Sequence, residues 1–149
     1  MKKMLSVLLL CVVIISCHSQ KISAQLKDKN KGDYFLGTWK LVERSYKEES
    51  KTKIFLLHKC MKEYGLLFKN ENQKTMITKL FATGKDCEIK SKSDDFVITI
   101  NTSSFFYMEY DLKKTEQYKI YSQNKFSVIY SDIIEGKVTE IEDIYQRKE

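Results

Sequence analysis

Residues 95–111 read DFVITINTSSFFYMEYD, and this segment decides the fold. In its first half Phe96, Ile98 and Ile100 recur at every second position, the period of a β-strand with one buried face. A second apolar run covers residues 105–111, and only Thr102-Ser103-Ser104 separates it from the first. Because a link this short joins antiparallel neighbours, the segment predicts two adjacent antiparallel strands.

Similar runs extend outward from this segment in both directions. Phe126, Val128 and Tyr130 share one strand face, and an equivalent alternation begins at Tyr64. No helical period exceeds two turns, and turn-forming residues separate the runs. Strands are therefore predicted over 36–46, 53–57, 63–69, 74–82, 95–101, 105–111, 115–122, 125–131 and 138–147.

The edges of such a sheet need protection, since unpaired strand edges promote aggregation. Closure into an up-and-down barrel removes the edges altogether. We therefore expect an all-β fold in which an antiparallel meander of eight or nine strands closes into a barrel. A two-sheet sandwich is the alternative arrangement.

Length and charge exclude several classes of protein. The chain has 149 residues and a net charge of +6, which allows one domain and a targeting segment. Six bases and two acids precede residue 34, so the remainder carries 20 bases against 18 acids. A nucleic-acid partner is not expected, because phosphate binding requires clustered positive charge. Only Arg44 and Arg147 are arginines, and each is a candidate for a structural role.

The N-terminus has the pattern of an export signal. Lys2 and Lys3 precede an apolar run over residues 4–15, the length of a signal-peptide core. The run ends in Ile14-Ile15-Ser16-Cys17, which resembles the lipobox of bacterial lipoproteins. The resemblance implies cleavage before Cys17 and attachment of lipid there. An ordinary signal peptide ending near residues 22–24 is the alternative.

Three segments are predicted: a lipoprotein signal peptide (1–16), a lipidated Cys with a polar spacer (17–33), and a β-barrel domain (34–149). The expected partner is thus a membrane, contacted through the N-terminal lipid anchor. His18 follows the Cys and is not an acidic retention residue, so the outer membrane of the cell envelope is favoured over the inner one.

The start of the first strand carries a family resemblance. Leu36-Gly37-Thr38-Trp39-Lys40-Leu41-Val42 resembles the Gly-x-Trp opening of the lipocalins, and more closely that of small bacterial lipocalin-like domains. In that family the Trp closes one end of the barrel, and an Arg from the last strand stacks across it. The resemblance implies a lipocalin-like barrel closed by Gly37, Trp39 and Arg147.

Cys60 and Cys87 are the two remaining thiols of an exported domain, where oxidation is permitted. They flank the predicted hairpin of strands 63–69 and 74–82, 12 residues before and 15 after its centre near residue 72. Both therefore lie at the open end of one hairpin. We predict a disulfide, which would contribute about 3 to 4 kcal/mol in a chain-entropy estimate.

Few residues favour catalysis. His58 and Cys60 could form a metal or nucleophile pair, but no third ligand or Cys-x-x-Cys accompanies them. The pairs Glu48-Glu49, Asp94-Asp95 and Glu142-Asp143 can each direct only one carboxylate inward from a strand. The prediction is a protein that is not an enzyme, with no metal and no cofactor.

The predicted function is binding of a small hydrophobic or amphipathic molecule inside the barrel. An eight-stranded barrel either holds one small ligand or is filled by its own side chains. The alternative is therefore a filled barrel that acts as a protein–protein interaction module in the envelope. The candidate ligand-binding residues are those of the clearest alternating runs, Phe96, Ile98, Ile100, Phe126, Val128 and Tyr130.

Overall fold

The structure is a computed structural model that describes residues 31–149. Its elements are the helix α1 (Lys31–Phe35), a 3₁₀ helix (Lys59–Glu63) and the strands β1 (Gly37–Glu48), β2 (Lys51–Phe55), β3 (Gly65–Glu71), β4 (Lys74–Thr83), β5 (Ile89–Lys92), β6 (Phe96–Ile100), β7 (Ser104–Glu109), β8 (Leu112–Ser122), β9 (Lys125–Ile134) and β10 (Lys137–Arg147).

Within these residues eight strands form a closed antiparallel barrel. They pair in the order β1, β3, β4, β6, β7, β8, β9 and β10. The ring closes where β10 returns to β1, with Trp39 opposite Arg147 at one end of the ladder and Tyr46 opposite Ile141 at the other. The predicted all-β meander closed into a barrel is confirmed, and the two-sheet sandwich is not formed.

Two strands lie outside this ring. β2 pairs with the second half of β1, and β5 pairs with the second half of β4. β2 was expected slightly later in the chain, at 53–57, and no strand was predicted at the position of β5. All four residues of β5 are exposed, so no buried face imposes the alternation by which a strand is recognised.

The register gives the barrel two distinct ends. The turns around Asn72, Ser103 and Asn124 lie at the end where the last strand finishes, which we call the closed end. The turns at Ser50, Tyr110 and Gly136 lie at the other end, which we call the open end.

Aromatic rings fill the closed half of the barrel. Phe35, the last residue of α1, is fully buried, and its ring centroid lies 4.9 to 5.5 Å from those of four other aromatic side chains: Phe68, Phe105, Tyr118 and Phe126. Edge-to-face contacts such as Phe35 with Phe105 are the preferred geometry for aromatic pairs. This cluster is the core of the domain.

The predicted disulfide is confirmed. Cys60, in the 3₁₀ helix, is bonded to Cys87 in the loop after β4, with 5.0 Å between the two Cα atoms. Both half-cystines are buried with Ala82 of β4. The bridge thus ties the 3₁₀ helix, which precedes β3, to the loop that follows β4 at the open end.

Candidate functional site

The open half of the barrel contains a cavity of about 310 Å³. Leu41, Leu66, Val128 and Tyr145 form the part of its apolar lining that lies next to the aromatic cluster. Tyr145 stacks on Phe126, with 5.5 Å between ring centroids, and so separates the cavity from the closed half. Charged and hydroxyl-bearing side chains occupy its walls.

One wall carries a paired arginine. Arg44 donates from Nε and Nη2 to the two carboxylate oxygens of Asp143, at 2.6 and 2.7 Å. The Tyr130 hydroxyl donates to the same carboxylate at 3.1 Å. Asp143 is only 2% exposed, so the bidentate geometry compensates its loss of hydration. The hydrogen bonds to Asp143 raise the pKa of Arg44 above its usual range, against the opposing effect of burial.

A β-bulge directs Arg44 into the barrel. The register between β1 and β10 shifts between Leu41 and Glu43, which leaves Val42 as an extra residue. Strict alternation from Leu41 would place Glu43 on the inner face and Arg44 on the outer one. The bulge reverses this, so that Arg44 lies opposite Asp143 inside the barrel.

The facing wall carries a second charged cluster. The Lys79 ammonium lies 2.8 Å from Glu109 and 5.5 Å from the centre of the Tyr107 ring. Lys114 approaches the same Glu109 carboxylate at 4.0 Å. The Tyr107 hydroxyl donates to Glu116 at 2.8 Å. Two lysines therefore share one carboxylate, and a second acid lies beside them.

Burial raises the pKa of Glu116, because desolvation disfavours the charged carboxylate. The charged and titratable groups that face it are Lys79, Tyr107, Glu109, Lys114 and Tyr145. Lys79 and Lys114 oppose the shift, but their effect is smaller than that of desolvation. Burial also raises the pKa of the Tyr107 hydroxyl, which therefore remains a hydrogen-bond donor to Glu116.

The six predicted ligand-binding residues fall in different places. Val128 and Tyr130 line the cavity. Phe126 belongs to the aromatic cluster beneath it. Phe96 and Ile98 are buried and Ile100 is half-buried, and none of the three lines the cavity. Ile100 pairs with Phe105 and so lies level with the aromatic cluster, whereas Phe96 lies against Tyr107 and Tyr110 and is buried away from the lining.

The predicted barrel-closing residues meet at the closed end. The Arg147 guanidinium lies 4.1 Å from the centre of the Trp39 ring and donates from Nη1 to the Leu36 carbonyl at 2.6 Å. Gly37 has φ of +109°, and a Cβ there would lie 3.3 Å from Arg147 Nη1. Glycine suits this position because it tolerates the left-handed backbone and leaves room for the guanidinium.

Sequence reasoning missed most of the charged residues of the cavity. Lys114 and Glu116 lie four and two residues before the buried Tyr118 on β8, so all three side chains lie on the same face of the strand. This alternation could have been recognised in the sequence. The sequence did not indicate that Arg44 faces inward, because the bulge at Val42 moves its side chain to the opposite face of the strand. The scarcity of arginine was the only indication that Arg44 has a specific role.

His58 and Cys60, the candidate metal or nucleophile pair, have structural roles. Cys60 is in the disulfide, and its backbone N–H donates to His58 Nδ1, which caps the 3₁₀ helix.

Over residues 31–149, no cluster of three or more His, Cys, Asp or Glu could hold a metal ion. In the same range no helix is long and apolar enough to cross a membrane. Cys17 lies outside the described residues.

Comparisons with known proteins found a family model and solved structures that are similar to this chain. A family model described as "Family of unknown function (DUF6705)" matches residues 1–142. The solved structure described as "The Siderocalin Ex-FABP functions through dual ligand specificities" aligns at 13% sequence identity, covering 77% of this chain and 74% of that chain, with a TM-score of 0.45. No curated protein sequence matches the chain.

Proposed function

The chain belongs to the family described as DUF6705, a family of unknown function, and we propose that this member is an envelope lipoprotein that binds a small amphipathic molecule in the open half of its barrel. The observation that carries the proposal is the 310 Å³ cavity with an apolar base and charged walls. Pockets for small molecules typically have about 300 to 1,000 Å³ and combine apolar surface with a few polar groups.

The polar groups of the cavity favour binding over catalysis. Arg44 is paired with Asp143, and Lys79 with Glu109, so these side chains hold one another in fixed positions. The lining residues include neither His nor Cys. A fixed array of donors and acceptors orients a ligand, and the lining acid with a raised pKa, Glu116, is itself held by the Tyr107 hydroxyl.

The proposal places the domain on a membrane through lipid attached at Cys17. Its support is the lipobox-like Ile14-Ile15-Ser16-Cys17 after a basic and apolar leader. Cys17→Ala should prevent cleavage at residue 17 and incorporation of labelled acyl chains. A mature, unlipidated protein cleaved normally from the unsubstituted chain would contradict the anchor.

Ligand binding can be tested by calorimetry on the full chain in lipid nanodiscs, with empty nanodiscs as the blank. The neutral amphiphile 1-naphthalenemethanol should bind in the micromolar range, about −6 to −8 kcal/mol. Val128→Trp should abolish binding, because the indole would occupy the cavity. Val97→Trp, on the outer wall, is the matched control and should bind as the unsubstituted protein does. Failure of the unsubstituted protein to bind would contradict the proposal.

A second candidate, an interaction module, has one specific observation in its favour. Five apolar side chains are between 68% and 90% exposed: Ile54, Leu56, Tyr110, Ile133 and Val138. Three of them, Tyr110, Ile133 and Val138, lie at open-end turns. Exposed apolar residues that lie together are typical of interaction sites. Photocrosslinking from position 138 in the envelope should then give a discrete protein adduct, whereas position 97 on the outer wall should not.

A further inference from the structure

The aromatic cluster limits the depth of the cavity. Trp39 and Phe35 contact Phe126 at centroid distances of 4.7 and 5.1 Å, and all three residues are fully buried. A ligand cannot extend toward the closed end without displacing these rings. The volume of 310 Å³ is also near the lower limit of small-molecule pockets. The occupant must therefore be compact.

The lining indicates that the occupant contains rings. Tyr64, Phe81, Tyr130 and Tyr145 all line the cavity. Tyr64 and Phe81 contact each other edge to face, with 5.4 Å between their centroids. Aromatic side chains offer faces and edges that attract another ring by offset stacking or T-shaped contact. A planar ring system therefore uses this lining better than a flexible chain does.

The Arg44 wall carries two carboxylates and one guanidinium that has an unused donor. The second carboxylate, Asp132, lines the cavity, is exposed, and accepts a hydrogen bond from the Ile133 backbone N–H. Asp143 already accepts from Arg44 Nε, Arg44 Nη2 and the Tyr130 hydroxyl. Arg44 Nη1 makes no hydrogen bond to any residue of the described range, although the side chain lines the cavity. A guanidinium has five N–H donors, so Arg44 can bind an anionic group while it remains paired with Asp143.

The facing wall also favours a negative ligand. Lys79 and Lys114 have Glu109 as their only ion-pair partner among the described residues. Glu116 is the other acid of this wall, and its raised pKa makes it less readily ionised than an ordinary glutamate. Lys114 is 40% exposed at its side chain, and its ammonium can attract an anion across the cavity.

We propose that the ligand class is the compact aromatic acids, one or two rings that carry a single carboxylate. The rings lie on the apolar base, the carboxylate accepts hydrogen bonds from Arg44, and Lys114 adds electrostatic attraction. This inference rests on the proposed binding function and adds to it the charge and the size of the ligand.

The charge is tested with two probes of nearly equal shape. In the nanodisc calorimetry, 1-naphthoate should bind the full chain at least about tenfold more tightly than 1-naphthalenemethanol, the effect expected of a charge-assisted hydrogen bond. Equal affinities would overturn this inference but leave the proposed function intact. If neither probe binds, the proposed function itself fails.

Two variants locate the anion. Arg44→Met combined with Asp143→Leu removes the ion pair as a unit, and the preference for naphthoate should then disappear. Because that double variant changes the interior, Lys114→Met provides a second measurement. It should weaken the binding of naphthoate about twofold to fivefold and leave the affinity for naphthalenemethanol unchanged. Its matched control is Lys113→Met, on the exposed face of the same strand, which should change neither affinity. A preference for naphthoate that survives both cavity variants would overturn the assignment.

The size limit is tested with a ring series. Benzoate and 1-naphthoate should bind, whereas 1-pyrenecarboxylate, with four fused rings, should bind at least about tenfold more weakly than naphthoate. In an unobstructed barrel the larger apolar surface would instead increase affinity. Tighter binding of the pyrene compound would therefore show that the aromatic cluster does not limit the cavity.

Discussion

Below Tyr145 the barrel is filled by the rings of Phe35, Phe68, Phe105 and Phe126, whereas above it the same strands enclose a cavity with charged walls. The inward-facing residues change from one half to the other along single strands. On β7 they run from Phe105 to Tyr107 and then to Glu109. The same alternation of inward and outward residues thus produces a packed core in one half and a polar cavity in the other.

This difference separates stability from binding. Packed rings contribute stability through burial and close contact, and any loss of volume there leaves a void. The charged wall residues contribute less, because each ion pair must first offset the desolvation of its partners. We therefore expect substitutions in the closed half to affect folding first, and substitutions in the open half to affect ligand binding first.

The largest contrast should come from the same substitution made in each half. Phe105→Ala should lower the free energy of unfolding by about 3 to 5 kcal/mol, because it leaves a cavity in the aromatic cluster. Phe81→Ala should cost about 1 kcal/mol, since this half-buried ring already borders the open cavity. Urea unfolding would measure both. Equal costs would contradict the division of the barrel into two halves.

Breaking the buried ion pair of Arg44 and Asp143 should cost more stability than breaking an exposed ion pair, although the cost is smaller than that of Phe105→Ala. Asp143→Ala should destabilise by about 2 to 4 kcal/mol, because Arg44 and the Tyr130 hydroxyl both lose their partner. Removing both charges with Arg44→Met and Asp143→Leu should recover most of that loss. Glu140→Ala breaks the exposed pair with Lys47 and should have no measurable effect in the same unfolding assay.

The coupling energy between Trp39 and Arg147 at the closed end should be smaller than the cost of breaking the buried ion pair. Arg147→Ala should cost about 1 kcal/mol through the lost stacking on Trp39. Trp39→Ala should cost about 3 to 5 kcal/mol, and the double variant should show a coupling energy of at least about 0.5 kcal/mol. A cycle of Trp39→Ala with Lys113→Ala should show none. Additive effects of Trp39 and Arg147 would refute their role as a closing pair.

The smallest expected effect is a dependence on pH in the cavity half. The pKa of Glu116 is raised in the folded state above its ordinary value of 4.5, so its proton stabilises the fold below that pH. This contribution should be lost as pH rises through the raised pKa. Thermal unfolding measures this loss of stability. The Glu116→Gln variant, whose side chain stays neutral, should not lose stability over the same pH range. An identical pH profile in both proteins would show that Glu116 does not titrate abnormally.

The closing pair and the cystine could be predicted from the sequence. Trp39 and Arg147 at the closed end were identified through the family resemblance, and the cystine at the open end by two thiols flanking one hairpin. The cavity could not. Of the six residues proposed for the ligand, only Val128 and Tyr130 line the cavity. Alternation specifies the face of a strand but not which part of the interior remains open.

The sequence by itself determined most of the strands and their antiparallel order, because hydrophobic alternation and short turns are local properties of the chain. The tertiary structure alone decided the contents of the open half. Arg44 and Asp143 are 99 residues apart, and a bulge at Val42 turns Arg44 inward to meet its partner. Such a pairing depends on the register between the first and last strands, which forms only when the barrel closes.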